Sequence, residues 1–342
     1  MAEKKRSRVL SVVLWVCALV CAGLCCGWVY GGVFGDGVWY WFDLAGAFTA
    51  RWVLGALVIG GVSFVLRRWR VGVVCVIAAG VGLWPVMTGR SFGVGEAGIG
   101  VVEIRVGTFN IYPKNEVWES DMGVLLGMGL DVLVIQEPGP ELSRGIRLHG
   151  YLEGSGMEHW VHRAWVKDRV SPGFIISRYE LELIEVGGDE LLAENRLMCV
   201  VHHPEGAFVV GLMHPLSPRT VDRWMAGNRV VRAQRRWVND VLEETGLPMI
   251  AGLDLNAARG QYRERELRRS GLRSSKPLTA FDWGSYPASG WWLSQVQLDD
   301  LWRSEGVDVV GWEMVRLSGS DHLAVVGGFV LGGGSAEDSG SD

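Results

Sequence analysis

Two patterns of apolar and polar positions divide the chain. Up to about residue 90 the apolar positions run together, and beyond residue 100 they come in short bursts. Val9–Tyr30 is a run of 22 residues with no charged side chain, preceded by Lys4, Lys5, Arg6 and Arg8. A bilayer core of ~30 Å needs about 20 such residues in a helix. A secretory signal has a shorter apolar region, about 7–15 residues, so the run predicts an uncleaved span over about 9–30. Ala45–Leu66 predicts a second span, with Arg51 near its start able to snorkel to the interface. Val71–Met87 predicts a third. Residues 1–87 thus read as a membrane domain with three transmembrane helices, about 9–30, 45–66 and 71–87. The competing reading is a buried helical hairpin of a soluble protein, which the charge flanks disfavour.

Further on the period changes. Val101–Phe109, Asp131–Ile135, Phe174–Ser177, Leu197–His202, Ala207–Met213, Pro248–Leu253 and Leu323–Val330 read as strands. Over Asn228–Glu244, Val230, Val231, Trp237, Val238, Val241 and Leu242 recur at helical spacing, with charged residues between them. Residues 116–129 predict another helix. Strands and helices mixed over 101–331 predict a two-layer or sandwich α/β fold in a single domain. Residues 88–100 have a linker composition, and the Gly/Ser/acidic tail 332–342 predicts disorder.

Charge adds a direction to this layout. Arg67, Arg68 and Arg70 separate the second and third runs, whereas the 31–44 loop holds Asp36 and Asp43 and no Lys or Arg. Positive flanks stay inside. The N-terminus and the RRWR turn are therefore expected in the cytoplasm of a multi-pass plasma-membrane protein, with the domain after residue 100 extracytoplasmic. Residues 1–100 carry nine basic and four acidic residues; 101–342 carry 24 and 34, a net of −10. An acidic domain weighs against nonspecific DNA binding, which leans on Lys and Arg. Five of the six cysteines fall in the apolar runs, so no disulfide or CxxC…CxxC metal site forms within the polar part.

Several strand-like runs end on a polar residue of one chemical kind. These are Asn110, Gln136-Glu137, His214, Asp254-x-Asn256, Asp299-Asp300 and Asp321-His322. Singly, an Asn or Asp after a strand is a turn former. Six such endings in one domain point to chemistry. Asp254 and Asn256 alternate so as to share a face. Carboxylates and amides suit Mg²⁺, which takes oxygen ligands, and a His beside a carboxylate can move a proton. No Walker A loop, GxSxG elbow or HExxH is present.

The ordered set resembles the endonuclease/exonuclease/phosphatase superfamily over roughly 103–330. It comprises TFN (108–110), QE (136–137), ISR (176–178), His214, DLN (254–256), LDD (298–300) and SDH (320–322). The resemblance implies a four-layer α/β sandwich, DNase-I-like, with the site at one edge of two packed sheets. It implies Mg²⁺ or Mn²⁺ at Glu137, with Asn110 beside it and Asp321 nearby. Asp254 would orient or activate water, Asn256 and His214 would contact the phosphoryl group, and His322 would pair with Asp299. Asp300 competes for that last role; Asp299 directly follows the apolar strand residue. Arg196 matches a phosphate-facing position, against a plain ion pair with Glu194. His214-Pro-Leu-Ser-Pro218 and Ser285-Tyr-Pro287 resemble elements of a bacterial membrane-anchored subgroup. One departure stands out: Gly252 lies one position earlier than the pattern has it, which could alter the turn before Asp254.

The expectation is a membrane-anchored, divalent-metal-dependent phosphoesterase. Its substrate would be a lipid headgroup, a lipid-linked phosphate or a nucleic acid. A nuclease would use the Arg219–Arg236 and Arg263–Arg273 clusters as a groove. The third reading is a binder of a phosphorylated ligand without turnover.

Overall fold

The computed structural model describes residues 2–34, 40–87, 94–95, 102–139, 146–154, 160–163, 173–184, 196–280, 284–291 and 294–332. The expected tail, nearly all of the linker and most of the 139–172 loop lie outside these. Contacts divide the chain into two compact units. One holds Met1–Thr88 with Pro218–Asn228 and Ala257–Arg265; the other holds the remaining segments.

The first unit begins with helices α1 (Ala2–Phe34), α2 (Tyr40–Gly46), α3 (Thr49–Val65) and α4 (Trp69–Met87). Small side chains sit inside: Ala18, Cys25, Ala56, Cys75, Ala78 and Ala79 pack with Leu14, Val53 and Val71. Large apolar ones face out, with Val12, Val16, Leu19, Val58 and Ile77 each more than half exposed. Helices in water do the reverse, and close approach through small residues is how helices pack in lipid.

The helices differ from three straight spans. By length and hydropathy only Ser7–Cys26 could cross a bilayer alone among the described residues. The expected 45–66 span is instead two helices, α2 and α3, bent by 75°. Local polar bonds make the corner: Thr49 Oγ1 donates to the Gly46 carbonyl (2.6 Å) and Trp52 Nε1 to the Ala45 carbonyl (3.1 Å). The third apolar helix is shorter, Trp69–Trp84. In the turn before it, Arg67 is left-handed (φ 56°) and Arg68 donates to the Ser7 hydroxyl (2.5 Å), so the basic N-terminus and the RRWR turn share one end of the bundle.

The rest of the chain supplies, in order, β1 (Ile104–Asn110), α5 (Trp118–Gly127), β2 (Val132–Gln136), α6 (Ile146–Gly154), β3 (Trp160–Arg163), β4 (Gly173–Ser177), β5 (Leu181–Leu183), β6 (Arg196–Val201), β7 (Phe208–Met213), α7 (Val221–Thr245), β8 (Met249–Asp254), α8 (Tyr262–Arg268), β9 (Arg273–Ser274), β10 (Asp299–Arg303), β11 (Val307–Val315) and β12 (Ala324–Leu331). They form two six-stranded sheets, ordered β11-β12-β1-β2-β4-β3 and β5-β6-β7-β8-β10-β9. Ile104, Val106, Val132 and Val134 of the first pack on Val210, Leu212, Ile250 and Leu301 of the second. Phe109, Leu133 and Ile135 point the other way, onto Met122 and Leu125 of α5 and Leu148 and Leu152 of α6. Burial on both faces explains why β1 and β2 read as continuous apolar runs. The outer face of the second sheet is also buried (Val209, Met213, Ala251, Leu253), and α7 buries the matching stripe Val230, Val231, Val238 and Val241.

All seven expected strands are present. Five others were not legible, for physical reasons. β3, β5 and β9 are four residues or fewer. β11 carries a bulge at Val309–Gly311 that breaks its alternation, and β10 opens on two aspartates. α7 starts seven residues before the expected Asn228, where Thr220 Oγ1 accepts the Arg223 N–H (3.3 Å) as a helix cap.

Gly252 lies inside β8, not in a turn. A Cβ there would meet Val134 Cβ at 2.7 Å and Thr108 Oγ1 at 2.8 Å, atoms of the opposing sheet. Its displaced position therefore serves a close approach of the two sheets. Gly252→Ala is expected to cost about 1–3 kcal/mol of folding stability by overpacking, read as a lowered denaturation midpoint. An unchanged midpoint would contradict this sheet spacing.

Candidate active site

Topology brings the polar strand ends together. β1 and β2 are parallel, so Asn110 and Gln136 end side by side. β7 and β8 are parallel in the second sheet. β10 runs against β8 with Asp299 paired to Asp254, and β12 runs against β1 with Val325 paired to Thr108. Four carboxyl ends and two amino ends thus meet at one edge.

Asn110 Nδ2 donates to Asp254 Oδ2 across the two sheets (2.8 Å). Asp254 Oδ1 accepts the Asn256 N–H (2.9 Å), and Asn256 Nδ2 donates to the Pro215 carbonyl (3.1 Å). His214 Nε2 lies 3.1 Å from Glu137 Oε1 and 3.6 Å from Asp254 Oδ2. Glu137 and Asn256 both have φ of 49°, a left-handed conformation that non-glycine residues rarely adopt. Each follows its strand directly or nearly so, and such backbone clusters at functional sites.

Asp299 Oδ2 holds His322 Nδ1 at 2.7 Å, with both side chains buried. The Tyr286 ring lies 4.7 Å from the imidazole. Asp300 points elsewhere and accepts from Ser274 Oγ. Arg196 opens β6 opposite Met213, the residue before His214. Asp321 Oδ1 is buried with no hydrogen-bond partner, while its carbonyl accepts the Ala288 N–H (2.6 Å).

Environment polarises these groups. Burial alone would push His322 down, but the Asp299 carboxylate beside it holds the imidazole up at about 10. Burial likewise opposes charge on His214, yet Glu137 and Asp254 raise it. The His214 hydrogen bond, against burial, holds the Glu137 carboxyl below its usual range.

Ligating atoms of Glu137, His214 and Asp254 lie within 4.8 Å of one another, as do those of Asp254, Asp299 and His322. With Asn110 adjacent and the Asp321 oxygen unsatisfied, the donor set is rich in oxygen. It fits a hard divalent cation such as Mg²⁺ or Mn²⁺ better than a soft one.

Three supporting residues escaped the sequence reading. Ser285 Oγ accepts the N–H groups of Leu298 and Asp299 (both 3.0 Å), fixing the start of β10. Ser320 Oγ accepts the His322 N–H (3.0 Å) and donates to the Asn110 carbonyl (2.7 Å). Asp121 accepts from the backbone of Ser318 and Gly319 and from Asn115 Nδ2. Ser285 stood in the Ser-Tyr-Pro element, which marks it without a role. Asp121 reads as a solvated acid of a first helical turn, yet it is 2% exposed.

No family model and no curated protein matches the sequence. Solved structures do. One described as an endonuclease/exonuclease/phosphatase from Beutenbergia cavernae is 18% identical with a TM-score of 0.50, covering 68% of this chain and 72% of that one. The fold is that of the endonuclease/exonuclease/phosphatase proteins. The human nocturnin catalytic domain, solved with bound sulfate, is 16% identical with a TM-score of 0.51 over 67% of this chain and 94% of its own. An endonuclease/exonuclease/phosphatase family protein from Bacteroides thetaiotaomicron is 13% identical with a TM-score of 0.50, over 68% and 99%. At these identities the likeness is one of fold, and the chemistry rests on the residues above.

In this endonuclease/exonuclease/phosphatase fold the loop carrying Asp321 and His322 is tied down by Asp121. Asp121→Ala strands buried donors that cost about 1–3 kcal/mol. It is expected to lower the denaturation midpoint and to speed amide exchange at Ser318 and Gly319; wild-type exchange there would show that the loop does not depend on Asp121.

Proposed function

We propose that the chain is a membrane-anchored, divalent-metal-dependent phosphoesterase that hydrolyses a phosphate ester of a lipid headgroup or lipid-linked phosphate by in-line attack of water. The observation that carries this is the meeting of Glu137, Asp254, Asn256 and His214 with the Asp299–His322 pair at one sheet edge.

Glu137 would hold Mg²⁺ or Mn²⁺, with Asn110 and Asp321 beside it. When bound, the ion supplies charge stabilisation for the phosphoryl oxygens. Asp254, fixed by Asn110, orients the attacking water and accepts its proton. Asn256 Nδ2 and His214 donate to phosphoryl oxygens. Asp299 occupies His322 Nδ1, which leaves Nε2 as the working atom. An imidazole held up at about 10 carries its proton at neutral pH, which suits donation to the leaving oxygen. Arg196 is assigned to the substrate phosphate, from its place beside the His214 strand end.

Three observations support an outward-facing membrane anchor. The helices of residues 1–87 pack inside out. All of their basic residues but Arg51 gather at one end, by Ser7 and Arg68. At the opposite end of α3, the α2 residues Tyr40 and Asp43 bond to Pro218 and Trp224. With positive charge inside, segments 218–228 and 257–265 lie outside.

The arginine clusters weaken the nuclease reading in part. Arg263 is buried and donates to Asn228 Oδ1 (3.1 Å), while Arg235 and Arg269 both pair with Glu266. These three side chains are engaged within the protein, whereas Arg219, Arg223, Arg229, Arg236 and Arg273 are exposed.

The test uses the whole chain in detergent or nanodiscs, because 218–228 and 257–265 pack with 1–88. Phospholipid vesicles, soluble phosphomonoesters and supercoiled DNA are offered in parallel with Mg²⁺. Turnover of a lipid phosphate is expected, abolished by EDTA. Asp254→Ala and His322→Ala should each lower kcat at least ~10²-fold. Near-wild-type rates in both variants would end the assignment, and cleavage of DNA alone would select the nuclease. For topology, a cysteine placed at exposed Glu244 should react with an impermeant thiol reagent in intact cells. Protection there, with labelling after lysis, would reverse the orientation.

A further inference from the structure

One buried carboxylate outside the site joins two segments that begin at the site. Asp43 on α2 is 2% exposed. Its Oδ2 accepts the Trp224 indole N–H (2.7 Å) and its Oδ1 the Tyr262 backbone N–H (2.7 Å). Its carbonyl accepts from Gln261 Nε2 (2.6 Å). Tyr40, on the same helix, donates to the Pro218 carbonyl (2.9 Å), and its ring packs edge-on against Trp224 (6.1 Å). Arg263 bonds Asn228, so the two segments also hold each other.

Both segments are continuous with catalytic strand ends. Pro218 comes four residues after His214, and Tyr262 six after Asn256. Near the site the same two stretches are tied by the bond from Asn256 Nδ2 to the Pro215 carbonyl (3.1 Å). Each stretch is thus pinned twice, once beside the reacting groups and once at Asp43. Burial pushes the Asp43 carboxyl up, against Trp224, Tyr262 and the nearby Arg263 and Arg265. A group this costly to bury sits where a neutral residue would serve the packing alone.

We propose that Asp43, a residue of the helical unit at the chain's N-terminus, is a positioning residue for catalysis: by clamping Trp224 and Tyr262 it sets the backbone that carries Asn256 and the His214 loop. This rests on the phosphoesterase reading. The clamp makes the membrane helices part of the working enzyme and not only its anchor. Misplacement of a reacting contact by about 1 Å can cost ~10²-fold in rate, so loosening at one remove is expected to cost about tenfold.

The test compares Asp43→Ala, Asp43→Asn and Trp224→Phe in the full chain in nanodiscs, on whichever phosphate ester the wild type turns over. Asp43→Ala is expected to lower kcat about tenfold with KM moved less than about twofold, and to speed amide exchange over 255–262. Asp43→Asn keeps one of the two acceptors but turns its NH2 toward the other donor, so it should restore only part of the lost rate. Trp224→Phe, which removes one donor without touching Asp43, covers the case in which Asp43→Ala does not fold, and should fall between. Wild-type kcat in folded Asp43→Ala, or a loss that follows only the folded fraction, would overturn the proposal. If the wild type turns over none of the substrates, the phosphoesterase reading fails instead. Exchange then decides the clamp: unchanged rates over 255–262 in Asp43→Ala would overturn it as well.

Discussion

A single hydrogen bond from Asn110 to Asp254 ties the first sheet to the second at the edge where the candidate site lies. Both side chains are buried to within 1% of full, and the N···O distance is 2.8 Å. A carboxylate taken out of water costs several kcal/mol unless donors meet it. Asp254 therefore needs Asn110 from β1 and the Asn256 N–H from its own chain, and those needs fix where β1 and β8 end. Gln136, level with Asn110 on β2, makes a second tie, donating to Thr108 Oγ1 in its own sheet (2.9 Å) and to the Gly252 carbonyl of the other (3.4 Å). Gly252 permits it, since a side chain there would hold the sheets apart. The spacing between sheets and the geometry of the site are one constraint.

That constraint explains what the sequence made legible. A residue that ends a buried strand must either be a turn former or serve something at the edge. Polar residues after four apolar runs, with two more just before or opening β10 and β12, point to such a service. The parallel pairings β1–β2 and β7–β8 and the antiparallel returns of β10 and β12 then bring those endings together. Even the choice between Asp299 and Asp300 has a structural basis: successive strand residues face opposite ways, so only one can reach His322 while the other bonds Ser274.

The unread parts share a cause, because their signal lies in partners distant in the chain. Asp43 in a loop of acidic character reads as a mark of topology; 181 residues separate it from Trp224, and nothing local shows the bond. Arg263 in a run of arginines reads as surface, yet it is buried on Asn228. Asp121 reads as a helix-start acid until the Ser318–Gly319 backbone is laid against it. The apolar runs of residues 1–87 reveal their composition but not the 75° corner between α2 and α3. That corner depends on where Thr49 and Trp52 find acceptors.

Charge at the sheet edge bears on what the site can accept. Glu137, Asp254, Asp299 and Asp321 bring four carboxyl groups to it, against two imidazoles, His214 and His322. Both imidazoles are raised by those carboxylates, so their positive charge is already engaged inside the site. A phosphate ester entering this edge brings further negative charge, and repulsion between like charges a few ångströms apart in a buried setting is worth several kcal/mol. Arg263, Arg235 and Arg269 do not offset it, since Arg263 is bonded to Asn228 and the other two to Glu266. The same residues that repel an anion are oxygen donors to a hard cation. Affinity for an anionic substrate and affinity for a divalent ion are thus two aspects of one electrostatic arrangement, and Glu137, at 35% side-chain exposure against 1% for Asp254 and Asp299, is where that ion would enter.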